Sequence, residues 1–391
     1  MKVLIVSNLY GRYYRSGAET VVKASANGFK ELGWEVSVLS VRPFHGIRSL
    51  TPVAEEEEGI KVLRFFPLNI FSYVNINAYG FFARAIWGCL DVMNIHSWLV
   101  TRAVLRREQP DLVLSHNLRG LGYLLPRLFA KRAKRYIQVV HDVQLVEPSG
   151  ILLVAQLKTQ LSRPIRILYR TLTRHLFRTV GIVVFPSKFL QDFYTGHHFF
   201  SVAKRSVLMN PVPDVAVVHK EHKGINVVYI GQIEEQKGIQ LLLDVWQTIR
   251  RPHWRLILAG AGSYLHAVKK ASLEDRSIIV SGFLSQIQLA AIWEVTDVFV
   301  YPSLLIENNP MSIVEALSHG VPVVASDIGG VSELLRLAPN TKLVPPGDSE
   351  ALASAITESA ESRVFVRENI LALSVGSKEY SKELIALTDL N

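Results

Sequence analysis

The chain is almost without cysteine: Cys89 stands alone among 391 residues. One thiol excludes an internal disulfide framework and fits a reducing compartment. With Trp87 and Leu90 as neighbours, Cys89 is expected to be buried and inert. Long apolar runs are missing too, and no stretch could span a bilayer. The most aromatic region, Phe65–Val100, is broken by Asn69, Asn75, Arg84 and Asp91. The opening MKVLIVSNLYGRYY turns polar and basic too soon to read as a signal peptide. Low-complexity segments and short-period repeats are absent. No Gly-x-Gly-x-x-Gly follows the first strand, which argues against a nicotinamide dehydrogenase. The P-loop pattern, the Gly-x-Ser-x-Gly nucleophile elbow and a Cys/His cluster of zinc spacing are likewise missing.

What is present is a chain long enough for two domains. Its 49% hydrophobic and 20% charged content is that of a soluble globular protein. The net charge of +9 favours anionic partners. A nucleotide-linked donor, a nucleic acid or an anionic membrane surface would each satisfy it. The basic residues are dispersed and match no nucleic-acid module, so no nucleic-acid partner is expected.

The order of elements is that of parallel α/β sheets. Val3–Val6 is a short buried strand, followed by a loop and a helix from about Ala18 to Leu32. Strands follow at Glu35–Ser40, Ile60–Phe66, Leu112–Ser115, Tyr136–Val140 and Gly181–Pro186. The acidic run Glu55–Glu58 reads as a solvated loop. Phe71–Arg107 is largely helical, and Gly122–Lys134 is a basic helix. Arg163–Thr179 is amphipathic: Arg163, Arg166, Arg170, Arg174 and Arg178 form one stripe, opposite Ile165, Leu168, Tyr169, Leu172 and Leu176. That pattern predicts a surface helix packed on the sheet; contact with anionic lipid is the alternative. The Pro-containing stretch Met209–Val218 reads as a linker. A second α/β set has strands at Ile225–Ile230, Arg255–Ala259, Ile278–Ser281, Val298–Tyr301 and Pro322–Ala325. The expected division is therefore residues 1–210 and 211–377, with a cleft between the two domains. Ligands of such sheets bind at the carboxyl ends of strands.

The richest stretch is Tyr301–Asp327. A strand ends in Pro302-Ser303, and a loop carries Glu307, Asn308 and Asn309. A helix is predicted to open with Asn309 as cap and Pro310 in its first position, and to stop at Gly320. The amides of Met311 and Ser312 then point out of the helix start, where an anion binds. Glu315 shares their face. Two carboxylates thus flank a phosphate site, and a sugar carries hydroxyls for them to bind.

Weaker signals lie at other strand ends. Gly231 through Gly238, carrying Gln232 and Lys237, follows the first strand of the second domain. Lys237 at the helix start is mildly unfavourable unless a phosphate sits there. Gly260-Ala261-Gly262 and Gly282-Phe283 follow the next two strands. Gly17-Ala18-Glu19 opens the first helix, where small residues let a diphosphate approach the backbone. His116 and His141-Asp142 end strands of the first domain. A tight turn, a surface lysine or a hydrogen-bonded histidine would explain each piece alone.

Together they resemble a family. Glu307 and Glu315, with seven residues between them, match the E-x7-E motif of retaining glycosyltransferases of the GT-B fold, family 4. The resemblance runs through Ser16-Gly17-Ala18-Glu19, His141-Asp142, Gly231 to Gly238, Gly260-Ala261-Gly262 and Tyr301-Pro302-Ser303. It continues through Glu315-Ala316-Leu317, Gly320 to Val323, Asp327 to Gly330 and Pro346-Gly347-Asp348. It implies two Rossmann-like α/β domains facing across a cleft, with a final helix at about 378–391 packed back on the first. It also implies roles. Lys237 meets the donor diphosphate, with Gly17 beneath it, and Glu307 binds sugar hydroxyls. His141 sits by the sugar, near its anomeric carbon. Asn309, Pro310, Met311 and Ser312 present backbone to sugar or phosphate, and Glu315 binds the ribose. Gln232, Gly260 and Gly262 line the donor site, while Gly282 and Phe283 line the base pocket.

Two departures stand out. Many members carry Arg where this chain has Gln232, and a Phe-Gly pair where Asn308-Asn309-Pro310 follows Glu307. The expected reaction moves a hexose-type sugar from a nucleotide-diphosphate sugar to a glycan or lipid-linked acceptor of the bacterial envelope. No cofactor or metal is expected, since fixed donors can hold the leaving diphosphate and no Asp-x-Asp lies near the site. The expected location is cytoplasmic, and peripheral contact with the anionic inner face of the plasma membrane is the alternative reading for the basic helix. The alternatives are a nucleotide-sugar epimerase of the same fold, which turns over the donor without acceptor, and a non-catalytic nucleotide-sugar-binding paralogue.

Overall fold

The computed structural model describes residues 1–13, 17–154, 163–212, 219–336, 338–362 and 375–388. Ser16 and most of the expected linker therefore lie outside the described residues. The chain divides into two compact units. Unit 1 comprises Met1–Gly150, Leu161–Pro211 and Gly376–Asn391; unit 2 comprises Ile151–Gln160 and Val212–Val375.

Unit 1 is built on eight strands: β1 (Lys2–Val6), β2 (Glu35–Val41), β3 (Val53–Glu57), β4 (Ile60–Phe65), β5 (Leu112–Ser115), β6 (Tyr136–Val139), β7 (Ile182–Phe185) and β8 (Lys204–Val207). Their order is β3-β4-β2-β1-β5-β6-β7-β8, all parallel except the β3–β4 pair. The apolar run of β1 is buried on both faces, as a central parallel strand requires. Helix Gly17–Glu31 returns the chain from β1 to β2. Helix Ser377–Ala386 packs on it, close enough that a Cβ on Gly28 would lie 1.9 Å from the Ser377 carbonyl oxygen.

Three expectations for this unit are corrected. The acidic run is not a loop but most of edge strand β3. Glu55 and Glu57 are drawn in by Arg64, which is 1% exposed and also donates to the Tyr10 carbonyl. Cys89 is exposed. Two residues from the buried Trp87 on helix Phe81–Val92, it points to the opposite side. Helix Pro164–Phe177 is held by Thr173, Leu176 and Phe177, while Ile165, Leu168 and Leu172 on its apolar face are exposed.

Unit 2 has six parallel strands: β9 (Ile225–Ile230), β10 (Trp254–Ala259), β11 (Ile278–Gly282), β12 (Val298–Tyr301), β13 (Val323–Ser326) and β14 (Thr341–Val344). Their order is β11-β10-β9-β12-β13-β14. Helices Ile239–Ile249 and Ser349–Ser362 cover the core with Leu242, Trp246, Leu352 and Ile356. Strand order reverses between β9 and β12, and between β1 and β5 in unit 1. Such reversals open a crevice outside the carboxyl ends of the strands, where ligands of this architecture bind.

Candidate active site

The chain leaves β9 through Gly231–Gly238 and leaves β12 through Pro302–Pro310, so both loops rise at the reversal point of unit 2. Lys237 ends a short 3-10 turn, Glu235–Lys237, and Gly238 begins the next helix in left-handed conformation, φ 76°. A Cβ on Gly238 would lie 1.9 Å from the Pro302 carbonyl oxygen, so this glycine lets the two loops touch. The amide of Leu304 donates to the Gln236 carbonyl at 3.1 Å and completes the junction.

That contact sets the chemistry. The Lys237 ammonium forms an ion pair with the Glu307 carboxylate, and both side chains are largely buried. Ser303 donates to the same Glu307 oxygen at 3.1 Å. The Lys237 ammonium also stands 5.9 Å from the Tyr301 ring centre. The Tyr301 phenol is pushed far above its usual range by burial and by the Glu307 charge. Glu307 is fixed from behind, since the Gly330 amide donates to its carbonyl at 2.8 Å. A Cβ on Gly329 would fall 2.2 Å from that carbonyl oxygen.

Helix Met311–Ser318 opens beside Glu307, one residue later than expected. Pro310 is its cap residue (φ −65°, ψ 121°), and no side chain caps the helix, so Asn309 does not serve as the cap. Once Pro310 adopts extended geometry, the cap position passes to a residue with no side-chain acceptor. The amides of Met311 and Ser312 have no acceptor among the described residues. Met311 is buried. Amides left open at a helix start must be completed by water or a ligand, and an anion suits them best. At the other end Gly320 (φ 70°) follows the cap as expected. Its amide donates to Leu317, and that of Val321 donates to Ala316.

Glu315 faces a different environment. Burial raises its carboxyl to about 7, opposed by a hydrogen bond with the Trp293 side chain. His319 lies against the same Trp293, ring centres 5.5 Å apart, and burial lowers its imidazole to about 4. Glu307 is thus charge-paired while Glu315 is desolvated, so the two glutamates are tuned for different work.

The glycine turn after β10 serves the β9 loop. Cβ atoms on Gly260 and Gly262 would lie 1.8 Å and 2.1 Å from the carbonyl oxygens of Gly231 and Ile233. The Ile233 amide donates to Ala261, and that of Tyr264 to Ile233. Ser263 holds Glu234. Gln232 is exposed, its carbonyl held by the Tyr229 hydroxyl at 2.7 Å. Gly282 (φ 69°) ends β11, and Phe283 beside it is 70% exposed, an apolar ring left open to solvent.

Unit 1 carries the remaining site candidates. Gly17 begins the helix after β1. His141 follows β6, and its Nε2 lies 2.8 Å from Nδ1 of His116, which follows the adjacent β5. Beneath them Gln138 donates to the His116 carbonyl and accepts from Ser115 and Tyr136. Burial lowers His141 to about 4, and burial together with the neighbouring His141 holds His116 well below the usual imidazole range. The pair is therefore neutral near pH 7. Asp142 is pushed up to about 6 by burial, against the pull of the Gln144 amide and Arg119. The sequence treated these histidines singly; their pairing needed the adjacency of β5 and β6.

Comparison with known proteins bears on the family and the fold. Residues 15–214 match the family described as Glycosyltransferase Family 4, and residues 224–362 match Glycosyl transferases group 1. A Bacillus subtilis protein, TuaC, named as a teichuronic acid biosynthesis glycosyltransferase, is 22% identical over 389 residues, covering 94% of this chain and 91% of its own. Sucrose-phosphate synthase from Thermosynechococcus elongatus shares the fold with a TM-score of 0.71 at 17% identity, covering 99% and 94% of the two chains. HepE of Anabaena, solved with UDP-glucose, gives 0.67 at 16% identity, covering 99% and 98%. A two-sheet GT-B architecture, a lysine–glutamate pair beside an open helix start and a family match over half the chain converge: this chain belongs to glycosyltransferase family 4.

Proposed function

We propose that this enzyme transfers a hexose, with retention of configuration, from a nucleotide-diphosphate sugar to a glycan or lipid-linked acceptor of the bacterial envelope. The observation that carries the reading is the Lys237–Glu307 pair beside the uncapped amides of Met311 and Ser312. A bound donor exchanges partners within that pair. Its diphosphate takes the Lys237 ammonium and the helix amides, and Glu307 is released to accept from sugar hydroxyls. Glu315 takes the ribose hydroxyls. As the anomeric C–O bond breaks, negative charge grows on the diphosphate, where these donors already point. The reaction then needs no metal, and the departing phosphate oxygen takes the acceptor proton on the same face. His141 is assigned to the reacting sugar and Gly17 to the diphosphate, by family resemblance.

The names of the relatives support the donor and acceptor classes: HepE is solved with UDP-glucose, and TuaC is named for a cell-wall polymer. The site of action in this reading is the cytoplasmic face of the membrane. Arg163, Arg170 and Arg174 lie on the same helix as the exposed Ile165, Leu168 and Leu172, which supports peripheral contact with anionic lipid. No helix among the described residues is long and apolar enough to cross a membrane. A thermal-shift screen of UDP-, GDP- and ADP-hexoses identifies the donor. With it, Lys237→Ala and Glu307→Ala should each lower turnover by about 10²–10³. Near-normal turnover in Glu307→Ala would sink the mechanism, and donor turnover without any acceptor would replace it with an epimerase.

A further inference from the structure

Just before β9 the chain reads His219-Lys220-Glu221-His222. Nothing in the transferase reading uses these residues. They lie at the amino-terminal edge of the unit 2 sheet, whereas Lys237, Glu307 and Glu315 follow the carboxyl ends of its strands. Here the structure assembles what the sequence pattern did not show. One ligand-type atom each from His219, His222 and Asp297 lies within 4.8 Å of the others. Asp297 immediately precedes β12, the neighbour of β9, so strand pairing brings residues far apart in sequence together.

One edge of the cluster has the length of a coordination-shell edge. Nε2 of His222 is 3.4 Å from Oδ2 of Asp297. Two ligands about 2.0–2.1 Å from a tetrahedral ion stand roughly 3.3–3.4 Å apart. That edge is already the right length. The His219 and His222 rings are 5.5 Å apart and inclined at 62°, so they face each other across a corner rather than stack. Both histidines are half-buried, and Asp297 is 1% exposed.

The backbone behind the ligands is held. The Asn226 amide donates to Oδ2 of Asp297 at 2.7 Å, and the Asn226 side chain donates to the Val295 carbonyl at 2.8 Å. The Lys220 amide donates to the Glu294 carbonyl at 2.7 Å, and its ammonium pairs with the Glu294 carboxylate at 2.5 Å. Such supports orient ligands before an ion arrives. A simple histidine–aspartate pair would account for His222, but not for the arrival of His219 at the same carboxylate.

We infer that His219, His222 and Asp297 bind a divalent transition-metal ion, with zinc the best fit and water completing the shell. Two imidazoles and one carboxylate suit zinc and not the all-oxygen preference of calcium or magnesium. The ion ties the entry of the chain into β9 to the base of β12. Its role is structural, and sugar transfer does not depend on it.

The test uses the full chain stripped with EDTA. Zn²⁺ added in a calorimeter should bind at one equivalent, and Co²⁺ should give the strong visible absorption of a four-coordinate site. His219→Gln and His222→Gln, both at half-buried positions, should each weaken zinc binding by about tenfold or more. Saturating zinc should raise the Tm of the unsubstituted chain by several degrees and leave that of His222→Gln unmoved. Zinc affinity unchanged in His222→Gln would overturn the site, as would no binding at all. Affinity lost in His222→Gln but retained in His219→Gln would reduce it to the histidine–aspartate pair and overturn the three-ligand site.

Discussion

Replacing Glu315 with Gln separates what this residue costs the fold from what it gives the ligand. Burial raises the carboxyl from its usual 4.5 to about 7. Each pKa unit is worth about 1.4 kcal/mol, so holding Glu315 ionised at pH 8 costs the folded chain about 3 kcal/mol. The sign follows from linkage. Between pH 4.5 and 7 the folded state keeps a proton that the unfolded state has released, so this group lowers stability as pH rises through that window. Below it the cost is absent. Gln has no charge to desolvate and keeps an oxygen for the Trp293 indole. Glu315→Gln should therefore match the unsubstituted chain near pH 4.5 and exceed it by up to about 3 kcal/mol at pH 8. In a thermal scan that is a gain of about 6–10 °C. The same series with nucleoside diphosphates should show the reverse for binding. The unsubstituted chain should bind more tightly as Glu315 ionises through pH 7, while Glu315→Gln binds weakly at every pH. A Tm difference that does not change between pH 5 and pH 8 would refute the burial argument. Equal nucleotide affinity in the two proteins would remove Glu315 from the ribose.

Arg64 is buried against Glu55, Glu57 and the Tyr10 carbonyl, so Arg64→Met leaves the two acidic side chains only the half-exposed Arg12 and, for Glu55, Arg42. The expected loss is about 2–3 kcal/mol by urea denaturation, and a loss below about 1 kcal/mol would show that Arg12 and water already screen the cluster. Changing Arg163, Arg170 and Arg174 together to Gln spares Arg166, which is tied to Glu147. Affinity for vesicles containing anionic lipid should drop about 100-fold, at about 1 kcal/mol per arginine. Unchanged vesicle binding would end the membrane assignment.

Much of this molecule is written locally. Apolar runs ending in Pro, Gly or Ser mark the strands, because a strand buried on both faces leaves little room for polar residues. Gly320 marks a helix end because it alone accepts the left-handed turn cheaply. Glu307 and Glu315 are legible by their spacing around a helix start. What was not legible depends on partners distant in sequence. Glu55 and Glu57 read as loop because Arg64 becomes their counter-charge only once β3 turns back on β4. Cys89 follows Trp87 in sequence but not on the helix surface. The helix Pro164–Phe177 is amphipathic as written, yet periodicity shows only that an apolar face exists, not that anything covers it. Asn309 lost the cap to Pro310 through one residue of helix register. The His116–His141 pair and the His219–His222–Asp297 cluster needed the order of strands, which no single stretch of sequence contains.

The packing of helix Ser377–Ala386 on helix Gly17–Glu31 has a consequence for how the protein is made. Unit 1 begins with the first strand, yet it takes in residues 376–391, which follow all of unit 2 in sequence. The Ser381 hydroxyl donates to the Ser25 carbonyl at 3.3 Å, and Gly28 leaves no room for a side chain between the helices. A ribosome that has finished the eight strands of unit 1 has therefore not finished its surface. The face of helix Gly17–Glu31 waits uncovered while about 160 further residues are threaded and folded, a natural place for a chaperone to hold the nascent chain. A chain cut at residue 375 should keep unit 2 whole and leave the damage in the part synthesised first.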